Sequence, residues 1–274
     1  MLQLLTPSLK ALIRQKIKDA QSLWRGYVFY YPRKQDSEPS SDYCYQWSEI
    51  STAIKQRSGS PQVNENRFWN MQLAAKGIDG LTLNPEQIFD FWNRVPRPTL
   101  ANGFREGPTL VGNRLMTDVG GGLCQISTTL FQALLWANCE ILERHNHSID
   151  AHGDTRFFTL GQDATVAYGY KNLIVRNNNQ VSLRLQLQVL SEKALVVASV
   201  WGTEPKPVEV KVSSQVLETL PAPQTNGMPG WRVETLRYAC QLEEPTTGWQ
   251  VNYRTLDVYQ PHVKLQQDFS QIPA

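Results

Sequence analysis

The chain has 274 residues, 41% of them hydrophobic and 19% charged, with a formal net charge of +2. That length suits one large folded domain or two smaller ones, and the composition is that of a globular protein. A near-neutral balance without a clustered basic stripe excludes a dedicated nucleic-acid surface, so no nucleic-acid partner is expected.

From Pro7 to about Trp24 the apolar positions Leu9, Leu12, Ile13, Ile17, Ala20 and Trp24 recur at helical spacing among Lys10, Arg14, Lys16, Lys18 and Arg25. This predicts an amphipathic helix packed on the domain with a solvated basic side; peripheral contact of that basic face with an anionic membrane is the alternative. Polar loops are expected over 33–42 and around Ser58-Gly59-Ser60-Pro61, with a short helix between them. A second helix is expected from Asn64 to Lys76, capped by Gly77. Two short extended pieces follow over Leu81–Trp92, then a hairpin, Pro108–Val111 and Arg114–Thr117, turning at Gly112-Asn113. After Cys124 comes an apolar helix with Ile126, Leu130, Phe131, Leu134 and Leu135 on one side. The remainder reads as strands: the stretch from Glu140 to Ile149, Ala164–Tyr168, Leu173–Val175, Val181–Val189 and Leu195–Val200, joined too tightly for crossover helices and therefore antiparallel. Polar β segments over 208–216, 231–242 and 249–259 end the chain, with a hairpin joined near Glu244-Pro-Thr-Thr-Gly.

The expected fold is α+β: a mixed, mainly antiparallel sheet packed on a central helix that begins at the Gly-Gly-Gly-Leu-Cys turn. An N-terminal helical segment with polar loops (1–63), a central domain (64–205) and a C-terminal β appendage (206–274) divide the chain. The cysteines Cys44, Cys124, Cys139 and Cys240 are widely spaced with no CxxC pair, so neither a disulfide framework nor a zinc knuckle is expected. The N-terminus lacks a signal-peptide pattern and no run of about 18 apolar residues occurs, which points to a cytoplasmic location.

The chemistry converges on Gly120-Gly-Gly-Leu-Cys124. Glycines there permit a sharp approach to the helix, and a thiol in the first helical turn lies at the positive end of the helix dipole, where its thiolate is favoured. His145, His147 and His152 follow closely, and alternation on a strand would set His145 and His147 on one face. A cysteine, a histidine and an orienting carboxylate make an acyl-transfer nucleophile; Asp150, Asp154 and Asp163 are candidate orienters and Asp163 is preferred, because it precedes an expected strand. The amides of Gly120, Gly121, Gly122 and Cys124 would form the oxyanion hole, and Gln125, Ser127 and Thr128 on the first helical turns would face substrate. His145-Asn-His147 with His152 or Asp154 offers an alternative metal ligand set, less favoured, so no metal and no cofactor is expected. A non-catalytic module that binds an anion on the glycine turn is the other alternative.

Gly120-Gly-Gly-Leu-Cys-Gln-Ile-Ser-Thr-Thr-Leu-Phe, then Glu143-Arg-His-Asn-His-Ser, Asp163-Ala-Thr-Val and Val175-Arg-Asn, resemble the VanW family, named for an accessory protein of vancomycin-resistance clusters. The resemblance covers roughly 64–205. It implies cell-wall biology, a peptidoglycan stem peptide or precursor as partner, and cysteine L,D-transpeptidase activity with Cys124 as nucleophile and His147 as the histidine of the pattern.

Overall fold

The computed structural model describes residues 6–36, 41–56, 61–111, 114–225, 227–243, 246 and 248–263. The Gly112-Asn113 turn, Ser58 to Ser60, and Glu244, Pro245 and Thr247 of the expected last hairpin lie outside these residues.

Helix α1 spans Pro7–Trp24 with Pro7 at its start and Thr6 Oγ1 accepting from Leu9 N at 3.4 Å, an N-cap read directly from a Thr-Pro pair. Strand β1 covers Tyr45–Ala53, where a short helix was expected. Its aromatic and β-branched residues Tyr45, Trp47, Ile50 and Thr52 suit a pleated surface, and pairing with a strand far along the chain decides its state. Helix α2 (Pro61–Lys76) buries Val63, Arg67, Asn70, Met71, Ala74 and Ala75 at steps of three and four. Strands β2 (Thr82–Leu83) and β3 (Ile88–Asp90) lead to the helical turn α3 (Phe91–Arg94). The hairpin β4 (Glu106–Val111) and β5 (Arg114–Val119) runs into helix α4 (Leu123–Trp136).

Then come β6 (Glu140–Glu143), β7 (Ile174–Arg176), β8 (Leu183–Leu190), β9 (Leu195–Gly202), β10 (Val208–Leu220), β11 (Gly227–Met228), β12 (Gly230–Gln241), β13 (Gln250–Tyr259) and β14 (His262–Val263). All strand pairs are antiparallel: sheets β1-β9-β8-β2, β3-β7-β6 and β10-β12-β13, with two-stranded β4-β5 and β11-β14. The fold is therefore α+β with mainly antiparallel sheets.

The core lies where α4 meets the β1-β9-β8-β2 sheet. Ile126, Leu130, Phe131, Leu134 and Leu135 of α4 are fully buried with Leu83, Leu185, Ala198 and Val200. Each such aliphatic or aromatic side chain contributes roughly 1.5–3 kcal/mol on leaving water. Polar side chains fix the register of this packing: Thr129 Oγ1 meets Thr52 Oγ1 at 2.7 Å, and Gln125 Nε2 donates to Ala53 O at 3.0 Å.

Ala164–Tyr168 is not a strand, although its residue types fit one. The backbone of Ala164 bonds to hydroxyls of α4 instead, Ala164 N donating to Thr128 Oγ1 at 3.0 Å and Ala164 O accepting from Ser127 Oγ at 2.5 Å, while Ala167 pairs with Lys171 in a tight turn. Likewise, the chain leaves strand geometry after Glu143, so the expected alternation of His145 and His147 on one strand face does not arise.

Candidate active site

Helix α4 starts at a backbone corner. Gly122 is its N-cap with φ 103° and ψ −16°, a conformation open to glycine, and a Cβ there would lie 2.8 Å from Met71 Cγ. The first intrahelical donors, Gln125 N and Ile126 N, both reach Gly122 O, so the amides of Leu123 and Cys124 precede the helix's own hydrogen bonding. The thiol thus sits in the first turn, partly exposed, with Thr165 Oγ1 at 3.2 Å and Val166 O at 3.6 Å from Sγ.

The segment that carries the histidines is pinned alongside by Thr165 N donating to His145 O at 2.8 Å. This brings the buried His147 ring close enough to the Cys124 thiol for the two groups to shift each other's protonation. On its other side, His147 Nδ1 meets Asp163 Oδ2 at 2.5 Å, and the same oxygen accepts from His147 N at 2.7 Å. Phe158 stacks on the imidazole with ring centroids 5.7 Å apart. Asp163 is fully buried, and Oδ1 accepts from Tyr259 OH at 2.5 Å and Arg144 Nη2 at 3.0 Å. Arg144 in turn holds Asp257 with Nη1 at 2.6 and 2.5 Å from the two carboxylate oxygens. The ring of charge is complete, as burial of carboxylate and guanidinium requires.

Burial pushes the Cys124 thiol up, but the hydrogen bond and positive charge of His147 outweigh it and bring the thiol below its ordinary value. Burial also pushes His147 down; Asp163 and the thiol reverse this and raise it to about 10. Asp163, despite burial, is held at about 2 by His147, Arg144 and Tyr259. These directions favour a thiolate–imidazolium pair with a charged orienter.

Asp150 and Asp154 do not join this group. Asp150 closes its own turn, accepting from His152 N and Gly153 N at 3.1 Å and from Arg156 Nε at 2.6 Å. His145 parts from His147: its Nε2 meets Glu143 Oε1 at 2.9 Å, and that oxygen also takes Lys18 Nζ at 2.6 Å and Asn172 N at 3.1 Å. His145 and His147 thus turn to different carboxylates, and among the described residues no group of three His, Cys, Asp or Glu is placed to hold a metal ion.

The substrate-facing set also changes. Gln125, Ser127 and Thr128 are buried and bond to β1 and to Ala164, because the first turns of α4 are covered on their polar as well as their apolar side. Gly120 N donates to Arg105 O at 3.1 Å and Gly121 O accepts from Asn70 Nδ2 at 3.3 Å, so Gly120 is not an oxyanion donor; the Cys124 amide stays a candidate and the Leu123 amide joins it. Four contributors went unforeseen: Thr165 at the sulfur, and Arg144, Asp257 and Tyr259 around Asp163. Lys171 also lies close, its Nζ donating to Asn146 O at 3.1 Å beside His147.

A family model described as "VanW like protein" matches residues 66–200, a segment that includes Cys124, Arg144, His147, Asp163 and Thr165 but not Asp257 or Tyr259. The chain is 31% identical over 132 residues to the vancomycin B-type resistance protein VanW of Enterococcus faecalis, a match covering 48% of each chain. It is 36% identical over 106 residues to the uncharacterized protein YoaR of Bacillus subtilis, covering 39% of this chain and 34% of YoaR. It thus spans about half or less of the length of these curated relatives. No solved structure matches. Through residues 66–200 the chain belongs to the VanW family, one of whose members carries vancomycin resistance in its name.

Proposed function

We propose that this protein is a cysteine-dependent acyl transferase acting on amide bonds of peptidoglycan-type peptides. The observation that carries the reading is the buried His147, with Nδ1 held at 2.5 Å from the Asp163 carboxylate and the ring electrostatically coupled to the Cys124 thiol, whose own neighbours Thr165 and Val166 lie on the adjoining segment. The class of peptide is what the VanW resemblance implies; the relative from Enterococcus faecalis is named for vancomycin resistance.

In the first step the Cys124 thiolate adds to the amide carbonyl carbon, and the oxyanion is met by the Leu123 and Cys124 amides at the positive end of α4. The carbon–nitrogen bond breaks as His147 gives its proton to the departing amine, leaving a thioester and a neutral imidazole. An incoming amine or water then gives a proton to His147 as it attacks the thioester, and the thiolate leaves. With an amine acceptor the reaction is transpeptidation; with water it is hydrolysis. Asp163 keeps the imidazole oriented and its cation stabilised throughout.

Two measurements test this. Iodoacetamide at mildly acid pH should label Cys124 well ahead of Cys44, which is exposed, while Cys139, fully buried and pushed up to about 12 by burial, stays unlabelled until the chain unfolds. Incubation with muropeptides followed by mass spectrometry should give cleaved or exchanged peptides with the wild type and none with Cys124→Ala. Equal labelling of Cys44 and Cys124, together with identical peptide spectra for the two proteins, refutes the reading.

A further inference from the structure

Helix α1 is mounted with its polar side inward. Gln15 and Ser22 are its buried residues, and Gln15 Oε1 accepts from Gly169 N at 3.1 Å. Lys18 reaches Glu143, Ser8 Oγ accepts from Arg97 Nη2 at 2.5 Å, and Arg14 lies 4.4 Å over the Tyr170 ring. Residues 8, 11, 14, 15, 18 and 22 therefore form the side that meets the protein. At 100° per residue, Leu9, Ile13, Ile17, Ala20 and Trp24 project the opposite way. The amphipathic helix expected to bury its apolar stripe in the domain presents it outward instead.

The exposure is large where a soluble surface would be polar: Ile17 is 53% exposed, Leu23 56% and Trp24 87%, and Phe29 in the following turn is 79%. Tyr30 is also exposed, so aromatic side chains gather at the C-terminal end of the helix. Lys10 and Lys16 flank the stripe, and Arg25 and Arg33 adjoin the aromatic end. An apolar stripe flanked by lysines, ending in tryptophan and tyrosine, has the layout of a helix lying in the headgroup layer of an anionic bilayer. Lys16 has Asp19 at 3.5 Å, but a protein partner of ordinary composition would leave Lys10, Arg25 and Arg33 facing no matching anions. Among the described residues no helix is long and apolar enough to cross a membrane, which leaves lying on the surface as the mode of contact for α1.

We propose that the outer face of α1 and the 27–30 turn dock on an anionic lipid surface. Docking would insert Ile17, Trp24 and Phe29 among the acyl chains near the headgroups, with Lys10, Lys16 and Arg25 on lipid phosphates. Because α1 rests on the tight turn Ala167–Lys171, which follows directly from the Thr165 and Val166 contacts to Cys124, the lipid surface would lie beside the rim of the thiol site.

The test is co-sedimentation of the full chain with vesicles of phosphatidylcholine alone or equimolar phosphatidylcholine and phosphatidylglycerol. Binding to the mixed vesicles should be clear, weaker without phosphatidylglycerol, and reduced by salt. The double variant Ile17→Ser/Trp24→Ser should lose at least about tenfold in partition coefficient, and Lys10→Glu/Lys16→Glu a similar factor, with urea midpoints unchanged because these side chains bury little. The proposal falls if the wild type ignores the mixed vesicles, or if the serine variant binds them as the wild type does. It also falls if light scattering finds a dimer that Trp24→Ser abolishes, which would assign the face to a second copy.

Discussion

Replacing Asp163 by asparagine keeps the shape of the side chain and removes its charge, and the structure says which bonds fail. The carboxylate accepts from His147 Nδ1 at 2.5 Å, His147 N at 2.7 Å, Arg144 Nη2 at 3.0 Å and Tyr259 OH at 2.5 Å. Asparagine can keep one oxygen toward Arg144 and Tyr259, but then turns its amide hydrogens on the two His147 donors. Two hydrogen bonds to a charged acceptor are lost, each worth about 1.5–3 kcal/mol, which agrees with the roughly 3–5 kcal/mol for orphaning a buried ion pair. Arg144 still has both oxygens of Asp257, so a loss of about 4 kcal/mol in urea unfolding is expected. With the anion gone, burial acts unopposed by Asp163 on the imidazole, His147 falls, and the thiol rises. The pH profile of iodoacetamide labelling at Cys124 should move to higher pH, and peptide turnover should drop on the order of 10²–10⁴-fold. An asparagine variant with less than about 1 kcal/mol of destabilisation and an unmoved labelling profile would show that Asp163 neither holds nor tunes His147.

Tyr259→Phe removes a hydroxyl that donates to Asp163 and accepts from Gly161 N at 2.8 Å, so an otherwise conservative change should cost about 2–4 kcal/mol by urea titration; a loss within experimental error would mean that water replaces both bonds. Gly122→Ala forces a Cβ toward Met71 at φ 103° and should lower stability by about 1–3 kcal/mol or more while slowing Cys124 labelling, and an unaltered protein would argue that the helix start is easily remodelled. Acid stability provides a further check. Asp163 is held at about 2 against an ordinary 3.8, so its contribution is whole above about pH 4 and disappears as pH falls toward 2. Asp163→Asn should flatten that acid limb, and a limb of unchanged steepness would place the acid-sensitive group elsewhere.

The helices α1, α2 and α4 were legible because apolar residues at steps of three and four determine them locally. Strand β1 was not, since its partner β9 lies well over a hundred residues away and nothing local forces extension. Ala164–Tyr168 misled for the converse reason: β-branched residues suggested a ladder, but hydroxyls of α4 took the bonds of Ala164 and a tight turn those of Ala167. At the site, the ordered appearance of glycines, Cys124, His147 and Asp163 made a constellation readable. The inward direction of Gln125, Ser127 and Thr128 was not, because polar residues early in a helix look outward unless one knows what packs there. Arg144 and Tyr259 stood unmarked, because only the folded chain brings them to Asp163.

The origin of Tyr259 and Asp257 on β13 has a consequence for how the protein is made. Synthesis runs from the N-terminus, so Cys124, His147 and Asp163 emerge well before the strand that completes the charges around Asp163. Until then Asp163 has no Tyr259 hydroxyl, Arg144 has no second carboxylate, and the orientation of His147 rests on an incomplete scaffold. A chain cut before β13 would carry Cys124, His147 and Asp163 without Asp257 and Tyr259. Strand β13 therefore completes the charged surroundings of Asp163 only after Cys124, His147 and Asp163 have been made.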